Sequence, residues 1–195
     1  MTAEPRKRLD HEQVLVAAER LVDRLGWPHL TMSELARELG VAVPSLYRHV
    51  KNLDALLGEL QNRTISRLGT KLNRAAMGRS AEAGIRALAA TLREFAREHP
   101  NRYDLAMRRA IDRDGFASAS IGAAAALDAI VRSYGIDDPP LETQVSTFAA
   151  LHGVIVLENS GFFPSVIDAD VVYAQVLDQV VDLLASAVLD EVRAG

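Results

Sequence analysis

Apolar residues recur at helical spacing along almost the whole chain, and no segment alternates convincingly between apolar and polar positions as a half-buried strand does. The pattern is interrupted at Gly26, Gly40, Pro100 and Gly135, residue types that end helices. The sequence therefore predicts an all-α protein. The spacing predicts helices over residues 11–25, 31–39, 43–50, 53–76, 83–99, 101–112, 116–134, 141–163 and 170–192.

Residues 30–51 carry the signals of two short helices joined by a tight turn. Thr31, followed by Glu34 three residues later, is a capping box that begins the first helix. Gly40 ends that helix because glycine accepts the left-handed backbone conformation, and Pro44 suits the first turn of the second helix. With the preceding helix, this arrangement predicts a three-helix head that contains a helix-turn-helix, whose second helix is short enough to lie in a DNA major groove.

The outward face of the second helix favours nucleic acid as a partner. A solvated helix face is usually rich in Glu and Lys, whereas this one has no acid between Val41 and Asn52. Phosphates need hydrogen-bond donors, and a carboxylate would repel them. A helical hairpin that never meets DNA is the alternative, because two-helix corners are common in all-α proteins. The outward residues are Val43, Pro44, Ser45, Tyr47, Arg48 and His49.

The run Gly-Val-Ala-Val-Pro-Ser-Leu-Tyr-Arg-His-Val-Lys-Asn over residues 40–52 closely resembles the recognition helix of the tetracycline-repressor (TetR) family of transcriptional regulators. The resemblance covers roughly the first quarter of the chain. It implies a domain over residues 1–54 that binds double-stranded DNA at an inverted-repeat operator. It also implies a helical body over residues 55–195 that binds a small-molecule effector and forms a homodimer.

The resemblance implies roles for individual residues, position by position. Tyr47 and His49 would hold phosphates, Thr31 would contact the DNA backbone as a helix cap, and residues 43–45 would face base edges. Ser33 stands where the tetracycline repressor itself carries a base-reading Arg, and Leu53 stands where it carries a Lys, so a different operator is expected. The implied DNA-binding residues are Thr31, Ser33, Val43, Pro44, Ser45, Tyr47, Arg48, His49 and Lys51.

Charge is distributed unevenly along this chain of 195 residues, whose net charge is −4. Residues 1–75 hold 12 Lys or Arg against 9 Asp or Glu, whereas residues 76–195 hold 10 against 17. The asymmetry indicates that the first part meets an anionic polymer and the second does not.

Arg6, Lys7 and Arg8 form a short basic arm, either a DNA contact in the minor groove or a mobile solubilising tail.

Several features predict a cytoplasmic protein without a membrane partner. The chain has no cysteine, which excludes disulfides and thiolate metal sites, and residues 1–13 lack the apolar core of a signal peptide. The longest apolar stretch, residues 116–131, is interrupted by Asp128 and is expected to be too short to cross a bilayer. Neither a cofactor nor a metal ion is expected, because no two of the five histidines have ligand spacing.

The last two predicted helices are apolar on more than one face, so each needs a partner besides its own core. A homodimer through a four-helix bundle, made from these two helices of each subunit, is the simplest arrangement. A fully buried helix within a monomer is the alternative. The expected interface residues are Val154, Leu157, Val176, Val180, Leu184 and Val188.

The resemblance also implies an effector pocket among the helices between Leu53 and Phe163. Leu151-His152-Gly153 resembles a feature common in one branch of the family. Polar side chains set among apolar neighbours must find partners, in the protein or in a ligand. The low aromatic content favours aliphatic pocket walls and a fairly apolar effector. The expected lining residues are Tyr103, Met107, Phe116, Phe148, His152 and Phe162.

These observations favour a ligand-responsive, homodimeric transcriptional regulator, and a repressor rather than an activator. Two alternatives from other classes stay open. A dimerising helical scaffold without DNA binding is one, although it gives no physical reason for an acid-free recognition face. An α-helical enzyme is the other, but the sequence contains no Gly-rich phosphate loop, no His-Glu-x-x-His pair and no Gly-x-Ser-x-Gly elbow, and no catalytic residue is assigned.

Overall fold

A computed structural model of the protein describes the backbone of residues 9–136 and 138–194, and the side chains as far as residue 186. The described residues form helices and no strand, so the all-α prediction is confirmed. The basic arm of Arg6, Lys7 and Arg8 and the side chain of Val188 lie outside the described residues. The helices are α1 His11–Leu25, α2 Met32–Leu39, α3 Val43–Leu46, α4 Leu53–Ala76, α5 Ala81–Glu98, α6 Pro100–Ala106, α7 Arg113–Arg132, α8 Leu141–Asn159 and α9 Ala169–Ala194, with a 3-10 turn at Trp27–His29.

Three helices end four or more residues earlier than the apolar spacing predicts. α3 ends at Leu46 rather than at residue 50, and α6 ends at Ala106 rather than at residue 112. α8 ends at Asn159, before residue 163, because the Phe162 N–H bonds to the carbonyl oxygen of Leu157 at 3.0 Å and closes the helix. Apolar residues continue beyond each end, so periodicity alone does not show where these helices stop.

α4 runs without a break from Leu53 to Ala76, as predicted, in spite of two internal glycines. A Cβ atom on Gly69 would lie 2.9 Å from the backbone nitrogen of Ala123, so glycine allows α4 and α7 to cross closely there. A Cβ atom on Gly58 would meet its nearest neighbour, the Cβ of Asp112, at an ordinary distance of 3.5 Å. Only the first glycine is required by packing.

We expect Gly69→Ala and Gly58→Ala to change stability in opposite directions. Gly69→Ala pushes a methyl group against fixed backbone, and overpacking of this kind costs about 1–3 kcal/mol. Gly58→Ala fits its surroundings and gains helix propensity, which is worth up to about 1 kcal/mol. Chemical unfolding of both variants and the wild type measures the difference. A shift of the same sign and size in both variants would contradict the close crossing at Gly69.

The chain forms two compact units, and the first is made from two separate segments. It comprises the residues up to 64 together with residues 101–118, whereas the second comprises residues 65–100 together with the residues from 119 onward. The apolar core of the first unit is built from α1, α2, α3, the first half of α4 and Leu105 of α6. α6 therefore belongs structurally to the unit that contains the helix-turn-helix.

A buried glutamine joins the two segments of the first unit. The Gln61 side chain is fully buried, and its amide nitrogen donates to the carbonyl oxygens of Leu105 and Arg108, both at 3.1 Å. Its oxygen accepts a hydrogen bond from the Ile111 N–H, also at 3.1 Å. A buried amide that lacked these partners would be costly, so the interior of the unit depends on residues 105–111.

The longest apolar stretch of the sequence lies in α7. This helix has 20 residues, and by length and composition alone it is the one helix in the described part of the chain that could cross a membrane. The expectation that this stretch is too short to cross a bilayer is therefore wrong, because the helix that contains it is long enough. One such helix is weak evidence for a membrane span, because a core helix of a soluble protein can be equally long and apolar. α7 therefore does not indicate a membrane protein.

Candidate nucleic-acid interface

The first helix of the helix-turn-helix is positioned by its two ends. Thr31 is the N-cap of α2, and its hydroxyl oxygen accepts a hydrogen bond from the Glu34 N–H at 3.1 Å. Gly40 follows the helix with φ 65° and ψ 33°, a left-handed conformation that glycine adopts without steric penalty. The Val41 N–H bonds to the carbonyl oxygen of Ala36 at 3.0 Å and completes the turn. The predicted cap at Thr31 and the turn at Gly40 are confirmed, but only the Thr31 half of the capping box forms, because the Glu34 carboxylate pairs with Arg37.

The second helix of the motif is a single α-helical turn that continues as hydrogen-bonded turns. α3 has Pro44 in its first turn. The N–H groups of His49 and Val50 both bond to the carbonyl oxygen of Leu46, at 2.8 and 3.0 Å. Leu46 and Val50 are buried, so the opposite side of this backbone faces solvent. Residues 43–51 are called the recognition segment below.

The recognition segment presents hydrogen-bond donors to solvent. Tyr47 is 54% exposed, and Arg48 and Lys51 are exposed as well. These three side chains form no hydrogen bond or ion pair with any other residue that the structure describes. The surface is therefore available for phosphate and base contacts. Among the predicted DNA-binding residues, Thr31, Ser33, Pro44, Tyr47, Arg48 and Lys51 are exposed, and Val43, Ser45 and His49 are half-buried.

A histidine outside the motif contacts the end of the recognition segment. His11, the first residue of α1, has Nδ1 2.9 Å from the carbonyl oxygen of His49 and Nε2 2.6 Å from Oε2 of Glu59 in α4. Burial lowers the pKa of His11, but its bonds to His49 and Glu59 and the charges of Glu59 and Glu12 raise it, so the net direction is upward from 6.5. His11 could not be found from the sequence, because its partners lie 38 and 48 positions away and no local pattern marks them.

Ion pairs also link α1 to α4. Nη1 of Arg63 donates to Glu12 at 2.6 Å, and Nε of Arg63 lies 2.9 Å from Oε1 of Glu19. Glu19 is buried, so its pair with Arg63 is less screened by salt than the pair with the exposed Glu12. The line of contacts holds α1 along the first half of α4.

The 3-10 turn before α2 is joined to α6 by Trp27. Its indole N–H donates to Oδ2 of Asp104 at 2.7 Å, and Arg108 donates to the other oxygen of that carboxylate at 2.7 Å. Nearby, Arg102 of α6 donates to Asp23 of α1 at 2.7 Å. Residues of α6 and the following loop therefore help to position the connection between α1 and α2.

The residues predicted to line an effector pocket are divided between the two units. Those in the first unit are Tyr103, Met107 and Phe116, and those in the second are Phe148, His152 and Phe162. The structure stacks Phe148 on His152 with ring centroids 5.2 Å apart, and burial lowers the pKa of His152. Tyr103 is buried, whereas Phe162 is exposed. The pocket stays a prediction.

A cleft of about 730 Å³ lies between α5 and α9 in the second unit, and none of the predicted pocket residues lines it. Its walls include Arg93 and Tyr173. The Arg93 guanidinium lies 4.4 Å from the centroid of the Tyr173 ring, and the Tyr173 hydroxyl donates to the carbonyl oxygen of Ala89 at 2.7 Å. The polar groups of these two side chains are therefore engaged within the protein.

Two buried hydroxyl groups of the second unit have no hydrogen-bond partner among the residues described. They are Oγ1 of Thr147 in α8 and the phenolic oxygen of Tyr134, just after α7. Burial also raises the pKa of Tyr134. Buried hydroxyl groups are normally satisfied by protein, water or ligand, so these two atoms are candidate contacts for a polar group of a bound molecule.

The predicted dimer residues lie on different sides of α8 and α9. Val154, Val180 and Leu184 are buried in the chain's own interior, and a side chain inside its own core has no surface to offer to a partner. The dimer interface stays a prediction, and these three of its expected residues are covered within the single chain. Leu157 is exposed and Val176 is half-buried. Exposed apolar side chains on these two helices include Val145, Val156, Leu157, Val171 and Leu183.

Comparison with known proteins covers both parts of the chain. Residues 14–60 match the model of the tetR family of bacterial regulatory proteins, and residues 85–180 match the tetracyclin repressor-like C-terminal domain. The chain is 35% identical over 173 residues to the uncharacterized HTH-type transcriptional regulator Rv0681 of Mycobacterium tuberculosis. That match covers 87% of this chain and 79% of the relative.

Solved structures share the fold. A protein of unknown function from Rhodococcus sp. RHA1 has a TM-score of 0.75 at 24% identity, covering 94% of this chain and 100% of that one. A TetR variant from Acinetobacter baumannii in complex with minocycline has a TM-score of 0.65 at 17% identity, covering 92% and 96%. At these identities the likeness shows the fold alone.

The match over residues 14–60 includes the whole of α2, α3 and the recognition segment. The resemblance that the sequence of this segment implied is therefore confirmed by two family models and by a relative that matches over 173 residues. The family consists of DNA-binding transcription regulators and not of enzymes. The chain belongs to the TetR family of transcriptional regulators.

Proposed function

We propose that this regulator is a homodimeric repressor that binds an inverted-repeat operator and leaves it when a small, fairly apolar effector binds. The observation that carries the proposal is the acid-free, exposed face of the recognition segment, on which Tyr47, Arg48 and Lys51 are unengaged. The DNA-binding domain extends over residues 1–54, and the body that binds the effector and dimerises lies within residues 55–195, of which residues 55–64 and 101–118 pack in the first compact unit. Because its target is chromosomal DNA, the protein is placed in the cytoplasm.

The proposed contacts to phosphates and to base edges each have a physical basis. Tyr47 and His49 hold phosphates, Arg48 and Lys51 add positive charge, and the short side chains over residues 43–45 approach base edges. Thr31 uses its oxygen as an acceptor within the α2 cap, so its hydroxyl hydrogen remains to donate to a phosphate. The N-terminus of α2 also favours an anion there because of the helix dipole.

The dimer forms through exposed apolar side chains of α8 and α9. Val156, Leu157, Val171 and Leu183 leave apolar surface in contact with water in the single chain. A two-fold interface of these two helices from each subunit covers that surface. Two recognition segments then meet successive major grooves, which requires a spacing of roughly 34–36 Å.

Effector binding acts by changing that spacing. α4 contributes residues to both units and is the element through which a change in the body reaches the head. The stacked Phe148 and His152 and the unsatisfied hydroxyl of Thr147 support a pocket beside α8. The minocycline complex of the structural neighbour supports an organic effector by analogy. The effector must bind the DNA-incompetent state more tightly, since equal affinity for both states shifts nothing.

Selection of bound duplexes from a random DNA pool, repeated at two salt concentrations, tests the proposal. Recovery of an inverted repeat is the expected result and supplies the probe for an effector screen. Recovery of no motif, with binding lost at modest salt, would leave only nonspecific electrostatic attraction and would favour the helical scaffold. A ligand that binds the protein without changing operator affinity would contradict the release mechanism for that ligand.

Substitutions in the recognition segment should separate phosphate contacts from base contacts. Tyr47→Phe removes a hydrogen bond to phosphate and should weaken binding to every duplex by about fivefold. Ser45→Ala should instead change which base is preferred at one position of each half-site. Affinities for the selected operator and its single-base variants, measured by fluorescence anisotropy, distinguish the two. Uniform weakening by Ser45→Ala would exclude a base-reading role.

A further inference from the structure

His11 connects the recognition segment to α4 through a single imidazole ring. Its two nitrogens face two acceptors, the carbonyl oxygen of His49 at 2.9 Å and the carboxylate of Glu59 at 2.6 Å. We propose that His11 is a positioning residue for DNA binding, whose protonated ring clamps the recognition segment between α1 and α4, so that operator affinity falls when His11 loses its proton. The proposal rests on the proposed role of the recognition segment in DNA binding.

The carbonyl group that His11 holds lies at a sensitive place. The hydrogen-bonded turns that continue α3 end at His49, and carbonyl groups at such an end, like those at the end of a helix, are satisfied from outside. The His49 carbonyl lies two residues after Tyr47 and two residues before Lys51. A hydrogen bond at this peptide therefore fixes the direction in which the chain leaves the recognition segment, and with it the placement of the phosphate-binding side chains.

The clamp needs both ring protons. The imidazolium form donates from Nδ1 and from Nε2, whereas the neutral ring has one N–H and one lone pair. If the neutral ring keeps the Nδ1 proton, the Nε2 lone pair faces the Glu59 carboxylate. If it keeps the Nε2 proton, the Nδ1 lone pair faces the His49 carbonyl oxygen. In either tautomer, one ring nitrogen and its partner are both hydrogen-bond acceptors with no hydrogen between them. Deprotonation therefore breaks one of the two hydrogen bonds.

The charges around His11 favour its protonated form. Asp10, the N-cap of α1, and Glu12 flank it in the sequence, Glu59 and Arg63 lie on α4, and the Arg63 charge is offset by ion pairs with Glu12 and Glu19. The pKa of His11 lies above 6.5 because these bonds and charges outweigh burial. A group with a raised folded-state pKa makes its contribution at low pH and loses it as the pH rises through that value. The clamp therefore opens toward alkaline pH.

Operator affinity as a function of pH tests the clamp. We expect the dissociation constant of the wild type, measured by anisotropy from about pH 5.5 to about pH 8.5 at fixed ionic strength, to rise about fivefold as His11 deprotonates. His11→Asn keeps a donor near the Nδ1 position but cannot titrate, so its profile should lack this step. Glu59→Gln should move the step to lower pH. His29→Asn, at an exposed histidine of the same unit, is the matched control and should keep the wild-type profile.

A second readout keeps the result decisive. NMR titration of the His11 ring without DNA should show that Glu59→Gln lowers its pKa, whether or not His11→Asn folds. An unchanged pH profile in His11→Asn, or an unchanged His11 titration in Glu59→Gln, would overturn the clamp. If the wild type selects no duplex at all, the proposed function fails instead.

Discussion

Replacing Leu184 with Asp is expected to unfold the helical body instead of separating two subunits. Leu184 is fully buried within the chain, so the aspartate would place an unpaired charge in the core of the second unit. Substitutions of this class destabilise by about 4 kcal/mol or more, which is a large part of the stability of a typical domain. Thermal and chemical unfolding followed by circular dichroism measures the loss.

The neighbouring residue provides a matched control. Leu183 is 56% exposed in the single chain, so Leu183→Asp should leave the melting temperature of the fold nearly unchanged. If the exposed side of α9 forms the dimer interface, Leu183→Asp should shift the protein to monomers in sedimentation experiments and weaken operator binding. A folded, monomeric Leu184→Asp would contradict its buried position, and a dimeric Leu183→Asp would exclude this side of α9 from the interface.

Removal of Arg93 should have the second large effect on stability. Its guanidinium donates from Nε and Nη2 to the two carboxylate oxygens of Glu158 at 2.9 and 3.1 Å, and it lies over the Tyr173 ring. Both members of this ion pair are largely buried, and breaking such a pair by removing one partner costs about 3 kcal/mol when the other is left unpaired. Because Arg97 still donates to Glu158, Arg93→Ala should lower the free energy of unfolding in denaturant by up to that amount.

Arg86 is the matched control for Arg93 on the same helix. It pairs with Glu82 and with Asp178 of α9, but these side chains are all substantially exposed to water. Exposed ion pairs contribute less than about 1 kcal/mol, so Arg86→Ala should be nearly silent. Equal losses in Arg93→Ala and Arg86→Ala would show that burial of the Glu158 pair does not govern its contribution.

Acid should remove part of the stabilisation that involves Glu158. Burial raises its pKa, hydrogen bonds from Arg93 and Arg97 lower it, and the net direction is downward from 4.5. A carboxyl group with a lowered folded-state pKa stabilises the fold above its unfolded-state pKa, and the contribution disappears as the pH falls through the folded-state value. The free energy of unfolding of Arg93→Ala should thus fall less between about pH 6 and about pH 3 than that of the wild type.

Local signals explain why the helix-turn-helix could be predicted from the sequence. The Thr31 cap, the left-handed Gly40 and Pro44 in the first turn of α3 each act within a few residues, and the structure has all three. The uninterrupted α4 was predictable for the same reason, because its apolar spacing persists over many turns. Helices and turns that are determined by residues close together in the chain can therefore be predicted from a single sequence.

Contacts between distant segments could not be predicted in this way. The clamp of His11 on His49 and Glu59 depends on how α1 lies beside α4, which no spacing along the chain encodes. The dimer surface is hard to choose from the sequence for a related reason. Periodicity identifies α8 and α9 as apolar on more than one side, but it does not tell which side faces the chain's own core, and Val180 and Leu184 are buried within the single chain.

The two-segment construction of the first unit has a consequence for modularity. Transplanting residues 1–64 onto the body of another regulator would deprive the fully buried Gln61 amide of Leu105, Arg108 and Ile111. A chimaera therefore needs residues 101–118 to travel with the head. The same dependence sets an order of events during synthesis: the head cannot complete its interior on the ribosome until the chain has passed Ile111, by which time the intervening part of the body has already emerged.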